Sequence, residues 1–141
     1  MGSHVGSMEF IRPDDEESWN HNDAPSNDLW IYLHPEKSPM FVQAQPLASF
    51  KAQYLHVEID SSRSTREGMV LADPSNLYIS DIRVSNQSFF ISSGLLSAVT
   101  PRIEIQLPPC NISQRITVIF ENKDKLAMCR FKCWLSGLVV Y

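Results

Sequence analysis

The chain has 141 residues, 43% of them hydrophobic and 20% charged, with a formal net charge of -4. That length fits one domain, and the composition is too apolar for a chain disordered throughout. No run approaches the ~18 apolar residues of a membrane-spanning helix, and a general nucleic-acid binder would carry a basic domain.

Residues 1–7, Met1-Gly2-Ser3-His4-Val5-Gly6-Ser7, read as vector-derived and outside the fold. From Met8 to Asp28 seven acids stand against one base, a net -6, whereas from Leu29 onward 11 bases and 9 acids leave +2. Segment 8–28 is therefore expected to be an acidic flexible arm, and 29–141 a single domain.

Strand signals fill that domain. Short strands are expected at Leu29–Leu33, Tyr54–Ile59, Leu77–Val84 and Ser88–Ser92; Met40–Phe50 is ambiguous because Pro46 interrupts it. Arg102-Ile103-Glu104-Ile105-Gln106-Leu107 alternates strictly, which puts Ile103, Ile105 and Leu107 on one face. Beyond Pro108-Pro109, the run Arg115–Glu121 places Ile116, Val118 and Phe120 together. Leu126–Leu135 follows, with Ala127, Cys129, Phe131 and Cys133 opposite Met128, Arg130 and Lys132. These last three runs predict an antiparallel meander, and Leu138-Val139-Val140-Tyr141 an edge strand. Seven or eight short strands separated by turn signals predict an all-β antiparallel sandwich.

No constellation of reactive residues stands out. Among the histidines beyond residues 1–7, His21, His34 and His56, none sits beside a glycine-framed Ser or Cys, so no nucleophile elbow is recognised. Glu58, Asp60 and Asp81 have no spacing that selects a glycosidase pair. Cys129 and Cys133 stand too far apart along a strand to bridge and lack the second pair a zinc site wants. With Cys110 they make three, an odd count that points to buried thiols in a reducing compartment. The sequons at Asn86 and Asn111 argue the other way. Asp60, Asp73 and Asp124 fall at turns singly, not as calcium-binding pairs. Trp30 and Trp134 are expected to pack in the core or at an edge, although with Trp19 they also suggest sugar stacking in a secreted sandwich. Non-enzymatic, with no metal or cofactor, is the reading that follows.

The C-terminal half resembles a known family. A strand ending at Asn86, a bend at Pro108-Pro109 and a Val118-x-Phe120 strand are similar to the PapD-like, or ASPM–SPD–Hydin (ASH), immunoglobulin-type sandwich. Cys110 stands where that family has Gly, and Glu121-Asn122 where its strand reaches Pro. The resemblance implies an immunoglobulin-like (PapD-like) fold, a cytoplasmic location at the centrosome or cilium, protein partners and no catalysis. The expected function is a protein-interaction module of a larger scaffold, meeting its partner through the polar loop 60–68, with Arg63 and Arg66, or the edge at Val139, Val140 and Tyr141. The alternative is a C2-like or adaptor-appendage sandwich binding membranes, for which Lys and Arg patches suffice.

Overall fold

The computed structural model describes residues 3–9, 30–44, 50–89, 96–108 and 114–140. Nine strands lie among them: β1 Ser3–Glu9, β2 Ile31–Leu33, β3 Met40–Ala44, β4 Phe50–Ile59, β5 Leu77–Val84, β6 Gln87–Ser88, β7 Arg102–Gln106, β8 Ile116–Asn122 and β9 Cys129–Val140. All pairings between them are antiparallel. One sheet runs β1-β9-β4-β7, with β2 also on β9, and the other runs β3-β8-β5-β6. The expected all-β antiparallel sandwich is thus the architecture observed. Every connection from β2 to β9 crosses between sheets except the β5–β6 hairpin, which is the strand order of a jelly roll.

The core follows from period-two alternation. Leu55, Val57 and Ile59 of β4 and Phe131, Cys133 and Leu135 of β9 face Val42 of β3, Val118 and Phe120 of β8, and Ile79 and Ile82 of β5, all buried. Phe120 and Phe131 meet across the sheets with ring centroids 4.5 Å apart. Two register jumps, at Gln53 in β4 and Ser80 in β5, shift the alternation, so Ile79 and Ile82 both point inward. The β5–β6 turn uses Ser85 and Asn86 at φ 51° and 71°, a conformation Asn tolerates better than most residues.

Three expectations are corrected. β7, β8 and β9 form no meander: β7 pairs with β4, β8 with β3 and β5, and β9 with β4, β1 and β2. Alternation fixes which face a residue takes, not which strand lies beside it, and both connections cross the sandwich. Residues 3–7 do not stand outside the fold, because Ser3–Glu9 pairs with β9. Nor do residues 138–140 form an open edge: Val139 pairs with Phe50 on one side and His4 on the other. The rest of the acidic arm (10–28), Cys110, Pro109 and Tyr141 lie outside the described residues.

Candidate interaction surface

Strands β2, β4 and β8 end, and β3, β5, β7 and β9 begin, at one end of the sandwich, so loops 34–39, 60–76, 96–101 and 123–128 share that end. Each turn aspartate serves its own loop. Asp60 Oδ1 accepts from Ser62 N at 2.9 Å and Ser62 Oγ at 2.6 Å, and its Oδ2 accepts from Arg130 Nη1 at 2.6 Å. Asp73 Oδ1 takes Ser75 N and Oγ, at 3.0 and 2.8 Å. Asp124 Oδ2 takes Leu126 N at 2.9 Å and Ala127 N at 2.6 Å. These N–H donors hold the Asp73 and Asp124 carboxyls below the usual range. At Asp60, burial raises the pKa, but Ser62 and Arg130 outweigh it and the net shift is downward.

The loops so fixed display apolar side chains. Met69, Val70, Val99 and Leu126 are 41, 67, 91 and 93% exposed. With Tyr32 they are the exposed large hydrophobic residues among those described. Arg66 and Lys125 stand exposed beside them. Arg63, its side chain 75% exposed, reaches Asp73 Oδ2 at 3.3 Å, a surface pair that contributes little to stability. Burying one Leu or Val side chain contributes roughly 1.5–3 kcal/mol, so a partner covering several would gain appreciably. Arg63 and Arg66, singled out by loop composition, therefore lie on the end that carries the exposed apolar residues. Val139 and Val140 lie in the strand that runs away from it, in the middle of a sheet. The apolar members went unnoticed because a single Leu or Val in a loop carries no pattern.

A second cluster sits on the outer face of the β1-β9-β4-β7 sheet. His56 of β4 stacks on Trp134 of β9, with centroids 5.1 Å apart and planes 6° apart, and Arg102 of β7 lies over the same indole at 5.1 Å. His56 Nε2 is 2.7 Å from Ser136 Oγ, and Nδ1 is 3.6 Å from Glu104 Oε2. Trp30 lies under Arg130 and Lys132. Both indoles are therefore on the outer face, where Trp134 is buried, packed as expected. The Ser136–His56–Glu104 order echoes a hydrolase triad. However, β4 and β9 are flanked by strands on both sides here, so their backbone N–H groups serve the ladders and are not aimed at an oxyanion above the sheet. The sequence hid this group because its members come from three strands whose pairing alternation does not reveal.

Burial holds the His56 imidazole below its ordinary pKa; Glu104 opposes this and Arg102 adds to it. As pH falls through about 6.5 the unfolded chain takes up a proton that the folded chain resists, so stability present above that pH is lost below it. The urea midpoint should drop between about pH 7.5 and about pH 5.5, and His56→Gln should remove most of that drop. A midpoint unchanged across this range would contradict the assignment.

Cys129 and Cys133 are buried thiols that form no disulfide, and burial, with Asp124 adding to it, pushes the Cys129 thiol up to about 12. Cys129 should therefore stay unmodified by iodoacetamide in the native chain and react once urea unfolds it, read by mass spectrometry. Labelling at equal rates in both states would contradict its burial. Compared with known proteins, this chain matches no family model, no curated protein and no solved structure.

Proposed function

We propose that this domain is a non-catalytic protein-interaction module of a larger cytoplasmic scaffold, at the centrosome or cilium, and that it meets its partner with the loop end. The observation that carries this reading is the gathering of Met69, Val70, Val99 and Leu126 on loops of one end, with Arg63, Arg66 and Lys125 at the same end. A polar rim around apolar anchors is the usual anatomy of a recognition surface. The location rests on the likeness of Asn86, Pro108, Pro109, Val118 and Phe120 to the PapD-like pattern.

The same apolar tips beside cations also favour the C2-like alternative, in which they enter a lipid interface next to anionic headgroups. One comparison separates the two. Val70→Asp with Leu126→Asp should weaken capture of centrosomal proteins from extract at least tenfold, because each lost apolar contact exceeds the ~1.4 kcal/mol that a factor of ten requires. Stability should stay within about 0.5 kcal/mol, both positions being exposed. Arg63→Glu with Arg66→Glu should weaken capture less. Flotation with phosphatidylserine vesicles that is lost in both double variants would select the membrane reading instead.

A further inference from the structure

Strand β9 is 12 residues long, yet β2 covers only Cys129–Phe131 on the side away from β4. The remaining edge, Trp134-Leu135-Ser136-Gly137-Leu138-Val139-Val140, has no charged residue and no proline. It lacks the devices by which proteins blunt a strand edge. Ser3–Glu9 occupies it over seven paired positions, from Ser3 opposite Val140 to Glu9 opposite Trp134. Val5 and Met8 are the large apolar residues of that segment, and the others are two Ser, a His, a Gly and a Glu. Strand addition in general draws its affinity from main-chain hydrogen bonds and its specificity from alternate side chains.

Chain continuity does not impose the pairing either. Along β9, only Lys132 and Cys133 separate the end of β1 from the start of β2. The 21 residues 10–30 join them, a tether with a contour of about 70 Å. That many residues can span far more than the gap, so covalent connection does not by itself select this register.

We propose that the Trp134–Val140 edge is a strand-accepting site for an extended segment of another protein, which enters antiparallel to β9 in the register of Ser3–Glu9 and displaces it. The register sets the chemistry of that segment. Positions directly opposite share a face, so the position opposite Leu135 belongs to the core face and takes an apolar residue. Its neighbour opposite Trp134 belongs to the outer face, where Arg102 and Lys132 stand, and takes an acid. The positions opposite Gly137 and Ser136 take small residues. The partner motif is thus small, small, apolar, acidic, as in Gly6-Ser7-Met8-Glu9. This surface is separate from the loop end, so it goes beyond the reading above.

The test uses a fluorescent peptide with the sequence of residues 1–10 and the full chain. Adjacent residues of a strand point their N–H groups to opposite sides, so Val5→Pro with Gly6→Pro removes the donor toward β9 in either phase. The chain carrying both prolines should bind the peptide at least tenfold more tightly than the unmodified chain, where the tethered segment competes. A peptide with Met8→Asp should bind at least tenfold more weakly, while Val70→Asp with Leu126→Asp in the chain should leave binding unchanged. Equal affinity of the two chains, or no binding to a folded double-proline chain, would overturn the proposal. On the unmodified chain, saturating peptide should abolish amide protection of Ser3–Glu9 and preserve that of Trp134–Val140. Continued protection of Ser3–Glu9 would equally overturn it.

Discussion

Gly137→Ala is expected to unfold the domain or bring it close to unfolding. A Cβ at Gly137 would collide with Lys51 O and lie 2.9 Å from Lys51 C and 3.0 Å from Ala52 Cα. All three are backbone atoms of β4, which cannot rotate aside as a side chain would. The pairing of Ala52 with Gly137 is followed by the register jump at Gln53, so β4 comes close to β9 just where it changes phase. Separating the strands would disturb the neighbouring Leu55–Leu135 pair, both fully buried. A loss above about 4 kcal/mol is expected, against the 5–15 kcal/mol that holds a typical domain together. Gly68→Ala makes the contrast: its φ is +86° but nothing lies within 4 Å of the added carbon, so about 1–2 kcal/mol of left-handed strain is the cost. Urea midpoints measure both. An alanine at 137 costing less than one at 68 would refute the close approach.

Asn122→Ala should cost about 3 kcal/mol, because one buried amide ties three segments together. Its Nδ2 donates to Leu33 O and to Ala127 O, each at 3.0 Å, and its Oδ1 accepts from Asp124 N at 2.8 Å. Its own N–H donates to Ser38 Oγ at 3.0 Å, a bond that survives the substitution. Alanine leaves these partners, of which Leu33 O is buried, without the amide. Asn122→Asp keeps the acceptor but loses both donors and turns a carboxylate onto two carbonyls, so it should be no better. Since Asn122 also fixes the 123–128 loop, the alanine variant should bind its partner more weakly even under conditions where it is fully folded. Urea denaturation and a binding titration at low temperature separate the two effects. A loss below 1 kcal/mol with unchanged binding would show that the loop is held by something else.

How much of this was legible in the sequence depends on what each signal encodes. The alternation in 102–107, 115–121 and 126–135 correctly assigned Ile103 and Ile105, Val118 and Phe120, and Cys129, Phe131 and Cys133 to one face each, because side-chain direction is a local property. Strand partners are not local, so the expected meander failed and β9 was cut short at Leu135. The strand continues through Ser136-Gly137, where the glycine permits the close approach of β4. The bulges at Gln53 and Ser80 left no mark for the same reason. Asp60, Asp73 and Asp124 were legible as turn residues, and loop 60–68 as exposed. That Val99 and Leu126 lie at the same end as that loop required the topology. The His56–Trp134–Arg102 stack needed three strands in register, and no one-dimensional pattern specifies that.

We propose that the loop end recognises a protein at the centrosome or cilium. This is tested most directly by where the chain and its Val70→Asp/Leu126→Asp variant go in dividing cells. The unmodified chain is expected to concentrate at centrosomes or ciliary bases, and the double variant, equally folded and abundant, to disperse. A chain that coats membranes or stays diffuse, or a variant that localises unchanged, would contradict it.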